Sequence, residues 1–156
     1  MDELIQMAIE QARKSDLTQK HGSILVCNDQ VFAGYNHFAG HRSNFAIHAE
    51  EHVIRRYLEW CRTKYFSDNY IRRKLKKAVL ITIRVKNDSI KCSAPCRDCI
   101  ELIKRFEIKH IIYSDQDNEQ NPHLVSKKIR DVQNRPSSGY RWRERRQHLL
   151  QGPAPS

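Results

Sequence analysis

Two short motifs constrain this 156-residue chain more than anything else in it: His48-Ala49-Glu50, and Pro95-Cys96-Arg97-Asp98-Cys99. One imidazole and two thiolates are three ligands of the kind zinc takes, and a fold that uses them must bring position 48 against positions 96 and 99. Three protein ligands leave the fourth tetrahedral position open for water, as a catalytic zinc site requires; a structural site closes it with a fourth side chain. Glu50, two residues past the histidine, is placed to handle that water's proton without being a ligand.

Each half has a commoner explanation when read alone. Cys96-x-x-Cys99 could be a redox pair, but that reading leaves His48 and Glu50 unexplained. His48 and His52 are four apart, as the two histidines of a zincin are, yet Ala49 stands where that motif needs its glutamate. Glu50 could be no more than a favourable charge at a helix start. Taken together and in this order, the two motifs carry the H-x-E and P-C-x-x-C pattern of zinc deaminases. The chain here resembles the cytidine deaminase superfamily, which holds free-nucleoside and nucleotide deaminases, tRNA adenosine deaminases and polynucleotide cytosine deaminases.

The resemblance implies a three-layer α-β-α fold with a central mixed sheet of about five strands, with Zn2+ held by His48, Cys96 and Cys99. Glu50 would be the acid-base catalyst, and Asn36, Ala49 and Pro95 would contact substrate, Asn36 at the ribose. It also implies a homo-oligomer, and hydrolytic deamination with cytosine in a nucleoside or nucleotide as the favoured target. Cytosine or adenine within single-stranded DNA or RNA is the second reading. A non-catalytic nucleic-acid-binding module, in which zinc only holds the fold and the basic surfaces grip nucleic acid, is the third; a fourth ligand such as Cys92 would support it.

Composition sets the partners and the compartment. Five cysteines, an odd number, with no apolar leader after Met1 and no membrane-length apolar run, point to reduced thiols and a cytoplasmic or nuclear protein. The net charge of +10 points to an anionic partner, a nucleotide or nucleic acid. Much of that charge is clustered: Arg55, Arg56, Arg62, Lys64, Arg72, Arg73, Lys74, Lys76 and Lys77 face only Glu59 and Asp68 in their stretch. Trp60, Tyr65, Phe66 and Tyr70 are interleaved with them. That is the pattern of a single-strand track with stacking platforms, and equally of a solvated helix edge with its rings turned inward.

Periodicity supplies the frame. Residues 2–14 read as an amphipathic helix through Leu4, Ile5, Ala8, Ile9 and Ala12. Ser23–Cys27 and Val31–Tyr35, joined by turn residues at Asn28 and Asp29, read as a hairpin ending near Asn36. The loop 37–44, with His37, Phe38 and His41, leads to the first motif, and Phe38 or Phe45 could stack on a base. A second helix is expected from about Ile47, putting His48 and Glu50 in its first turn. Ala78–Val85 is an apolar, β-branched run with the character of a central strand. Asn87-Asp88 turns the chain, and Pro95 opens a helix carrying both cysteines in its first turn. After the strand Ile108–Tyr113, residues 124–132 can be a helix or a strand returning as a hairpin. The absence of a convincing later strand favours the hairpin, which in the superfamily accompanies free-cytidine enzymes, whereas a helix followed by a parallel strand accompanies nucleotide, tRNA and polynucleotide enzymes. A deaminase domain over 1–136 and a basic tail over 137–156 complete the expected organisation.

Overall fold

The computed structural model describes residues 1–40, 45–116 and 122–133, so the expected tail and His41 lie outside the described residues. Helix α1 (Asp2–Arg13) is followed by strands β1 (Lys20–Cys27) and β2 (Gln30–Tyr35). Two short strands, β3 (His37–Phe38) and β4 (Ala46–Ile47), precede helices α2 (Ala49–Thr63) and α3 (Asp68–Leu75). Strands β5 (Val79–Lys86) and β6 (Ser89–Lys91), helix α4 (Arg97–Arg105), strands β7 (His110–Gln116) and β8 (Pro122–Lys128) and a 3-10 turn at Ile129–Asp131 complete the order.

The main sheet runs β2-β1-β5-β7-β8, with β6 paired to the end of β5. Strand β5 pairs antiparallel with β1 and parallel with β7, which makes the sheet mixed. The expected hairpin forms: β8 returns antiparallel to β7 over Gln116↔Pro122 to His110↔Lys128. Asn87 and Asp88 both have left-handed backbone (φ 50° and 59°), the conformation a two-residue β5–β6 turn demands.

Alternation along the strands sorts the core into two layers. Ile24, Ile81, Ile83 and Val85 pack with Ala8 and Ala12 of α1 on one face. Leu25, Leu80, Ile111 and Tyr113 pack with Val53, Ile54 and Tyr57 of α2 and Ile100 and Ile103 of α4 on the other, where Leu75 of α3 joins them. Helix α2 lies close on the sheet because Gly34 has no side chain. A Cβ there would stand 2.7 Å from the Val53 main-chain nitrogen.

Helix α2 begins later than its periodicity indicates. Ala46 and Ile47 are held extended by pairing with Phe38 and His37, so His48 is the residue just before the helix, with extended backbone (φ −73°, ψ 155°). Among the described residues no helix is long and apolar enough to cross a membrane.

Candidate metal centre

The starts of α2 and α4 converge, and each presents a metal-binding side chain from the position directly before its first helical residue: His48 for α2, Cys96 for α4. Neither side chain caps its own helix. The contrast within the molecule is Ser67, whose hydroxyl accepts from the Tyr70 main-chain N–H (3.2 Å) and closes the start of α3. A missing cap of this kind costs about 1 kcal/mol. At 48 and 96 the side chains turn to each other instead.

His48 Nδ1 lies 3.1 Å from Cys99 Sγ and 3.5 Å from Cys96 Sγ, and all three donor atoms fall within 4.8 Å of one another. Zinc–nitrogen and zinc–sulfur bonds at tetrahedral angles separate N from S by about 3.5 Å, so the donor set fits zinc in chemistry and in spread. Among the described residues the cluster holds these three side chains and does not include Cys92.

Glu50 is 5% exposed, and the Cys99 thiol donates to its Oε2 at 3.6 Å. Burial raises its pKa, and the positive charge of His48 works in the opposite direction. Hydrogen bonding to Cys96 pushes His48 up to about 9. Cys96 is lowered to about 4, first by the hydrogen bond from Cys99 and then by His48, while Cys99, next to that thiolate and buried, is raised. Zinc takes deprotonated thiolates and a neutral imidazole, so metal binding would release protons from this cluster.

The approach to Cys96 is fixed by buried hydroxyls. Ser93 Oγ donates to the Thr82 carbonyl (2.6 Å), the Ser93 N–H donates to the Ser114 carbonyl (2.8 Å), and Ser114 Oγ donates to the Lys91 carbonyl (2.6 Å). Buried polar groups satisfied in this way set one path for the chain. Pro95 is buried and, with Glu50 and Thr82, lines a small cavity. Ala49 is fully buried.

Asn36 sits at the end of β2, as expected, and its side chain is held by the main chain around the start of β1. Oδ1 accepts from the His21 N–H (2.8 Å) and Nδ2 donates to the Gln19 carbonyl (2.6 Å). One Nδ2 hydrogen and one Oδ1 lone pair remain for other partners. His52 belongs to no metal cluster; its ring packs against His37 and Tyr35, with centroids 4.5 and 5.2 Å away. Phe38 and Phe45 are exposed. Arg84 of β5, opposed by His21 of β1, was not singled out by motif. The signal for Arg84 was available, since it is the one charged residue in the run Ala78–Val85.

Solved structures share this architecture. Cytidine deaminase from Burkholderia pseudomallei superposes with a TM-score of 0.53 at 17% identity, covering 80% of this chain and 91% of its own. That from Mycobacterium leprae gives 0.52 at 14%, covering 82% and 92%. A mutant cytidine deaminase from Mycobacterium tuberculosis gives 0.52 at 16%, covering 83% and 91%. At such identities the likeness is one of fold. No curated protein matches the sequence. Residues 1–115, which contain the whole donor cluster, match the family model for the cytidine and deoxycytidylate deaminase zinc-binding region. The chain therefore belongs to that family of zinc-dependent hydrolases.

Proposed function

We propose that this protein hydrolyses the exocyclic amino group of cytosine in a nucleoside or nucleotide, giving uracil and ammonia. His48, Cys96 and Cys99 hold the zinc, and Glu50 moves the protons. The observation that carries the reading is the carboxyl of Glu50, buried and 3.6 Å from a thiol of the donor cluster. Zinc in that cluster supplies Lewis acidity that brings the pKa of a water toward neutrality. Glu50 accepts the proton this water gives up as its oxygen bonds to C4 of the base. The same carboxyl then delivers it to the departing amino nitrogen, and the C4–N bond breaks as ammonia leaves. A carboxyl whose pKa is raised by burial holds a proton more readily than an ordinary one, which suits a group that must take it up and give it back.

A free nucleoside is favoured over a polynucleotide target by the antiparallel β8, the arrangement that in this superfamily accompanies enzymes of free cytidine. The domain over 1–136 is proposed as the catalytic unit. Glu50→Gln tests the mechanism: it is expected to keep its zinc and its thermal unfolding while losing about 10² to 10⁴ in kcat, read as uridine or uridylate formed. Full turnover by that variant, with metal retained, would remove Glu50 from the chemistry.

A further inference from the structure

We infer that Ser93 is a positioning residue for the metal centre: its buried hydroxyl fixes where the chain delivers Cys96, and so sets how tightly the protein holds zinc. The inference needs the donor cluster and not the identity of the substrate.

The sheet forks at this point. Strands β5 and β7 pair in parallel from Val79↔His110 to Thr82↔Tyr113, and there their pairing ends. Beyond it β5 pairs with β6, from Arg84↔Lys91 to Lys86↔Ser89, while β1 occupies the other edge of β5 as far as Val85. Strand β6 therefore enters on the edge that β7 has just left, as a wedge between the two arms. Backbone groups at such a fork lose their ladder partners, and the buried ones must find others. Ser114 Oγ meets the Lys91 carbonyl, and farther out Gln116 Nε2 donates to the Ile90 carbonyl (2.9 Å).

Ser93, 1% exposed, fills the apex of the fork. Its hydroxyl donates to the Thr82 carbonyl on β5 (2.6 Å) and accepts the Ser114 N–H on β7 (2.8 Å). Its own N–H donates to the Ser114 carbonyl (2.8 Å), and the Ser93 and Ser114 hydroxyl oxygens stand 2.8 Å apart. One side chain thus ties the segment to both arms at once. Alanine would leave the Thr82 carbonyl and the Ser114 N–H without these bonds, deep in the protein.

The segment so tied is the one that carries a ligand. Residues 92–96 form neither helix nor strand, and Pro95 brings no N–H with which to anchor them. Cys96, three residues past Ser93, stands directly before α4 and caps nothing with its side chain. Helix α4 holds it from behind, through the Ile100 N–H on the Cys96 carbonyl (2.9 Å), and Ser93 holds it from in front. Groups that hold a ligand in place before the ion arrives contribute about 10- to 100-fold to metal affinity.

A neighbouring pair supplies the control. The hydroxyls of Ser23 and Thr82 lie 2.7 Å apart across β1 and β5, both buried, and Ser23 is off the path to Cys96. Competition against a chromophoric chelator measures zinc affinity without any turnover. Ser93→Ala is expected to weaken zinc by about 10- to 100-fold, and Ser23→Ala to leave the affinity near that of wild type. Ser114→Ala, which removes the bond to Lys91 but keeps the Ser114 main chain, should weaken zinc by less than Ser93→Ala and serves if that variant fails to fold. The cobalt(II)-loaded proteins read ligand geometry directly: the thiolate charge-transfer and d–d bands should change in Ser93→Ala and match wild type in Ser23→Ala. Wild-type affinity and cobalt spectrum in folded Ser93→Ala, or in Ser114→Ala where the first does not fold, would overturn the inference, as would an equal loss in Ser23→Ala. Zinc affinities in the expected order, in a wild type that releases no ammonia from cytidine, would keep the role of Ser93 and sink the deaminase reading instead.

Discussion

Basic residues in the last turns of the helices and those on the sheet are held in different circumstances. Arg62 stands in the last turn of α2, Arg72, Arg73 and Lys74 in that of α3, and Lys104 and Arg105 in that of α4. Each group complements the negative end of its helix dipole. Arg73 and Lys74 also lie 5.6 and 5.2 Å from the Tyr70 ring centre, Lys64 lies 6.0 Å from that of Trp60, and Lys76 pairs with Glu107 at 3.8 Å. Trp60 and Phe66 pack onto the core, and of the interleaved rings Tyr65, at 95% exposure, is the one fully outside. On β5, Arg84 has a buried Nε with no hydrogen-bond partner. Density of positive charge along a chain thus does not say how each charge is held.

The comparison can be broken at several points. The largest effect belongs to the metal centre: Cys99→Ala should take zinc content to background and turnover with it, while a metal analysis showing a full complement would remove Cys99 from the donor set. Next comes acid. His21, with a folded pKa of about 4 against an ordinary 6.5, binds a proton less readily folded than unfolded. Stability from this group is complete above pH 6.5 and is lost as pH falls toward 4, by up to about 3 kcal/mol. His21→Gln should therefore show a smaller loss than wild type between denaturation curves at pH 7.5 and 4.5; parallel losses would show that His21 titrates normally. The smallest effect is expected in the last turns of the helices. Arg72→Gln with Arg73→Gln should change stability by less than about 0.5 kcal/mol and leave kcat/KM for cytosine substrates as it was. A steep, salt-sensitive affinity for single-stranded DNA that this pair abolishes would instead make the last turn of α3 a nucleic-acid surface.

Much of this molecule was legible in the sequence because its signals are local. The ligand spacing at 48, 96 and 99, the apolar run of β5 and the turn residues at 28 and 87 each act within a few positions, and the structure follows them. The hairpin of β7 and β8 was one of two readings, since Val125, Ile129 and Val132 also keep helical spacing. Pairing of β8 along all of β7 decides it, and no local propensity encodes that pairing. The start of α2 was misjudged by two residues for the same reason: Ala46 and Ile47 have helical periodicity but are held extended by β3. The neighbours of Arg84 were not legible, because which residues oppose it across the sheet is a property of register.

One consequence follows from the two helices that begin without caps. The ion that joins His48 to Cys96 and Cys99 would act as a clasp, pinning the first turns of α2 and α4 together across some fifty residues of chain. Deuterium uptake at amides 49–52 and 97–100 should slow on adding zinc, while that at 68–71, already closed by Ser67, should be indifferent. Equal slowing in all three places would mean that the metal tightens the whole domain and not these two turns.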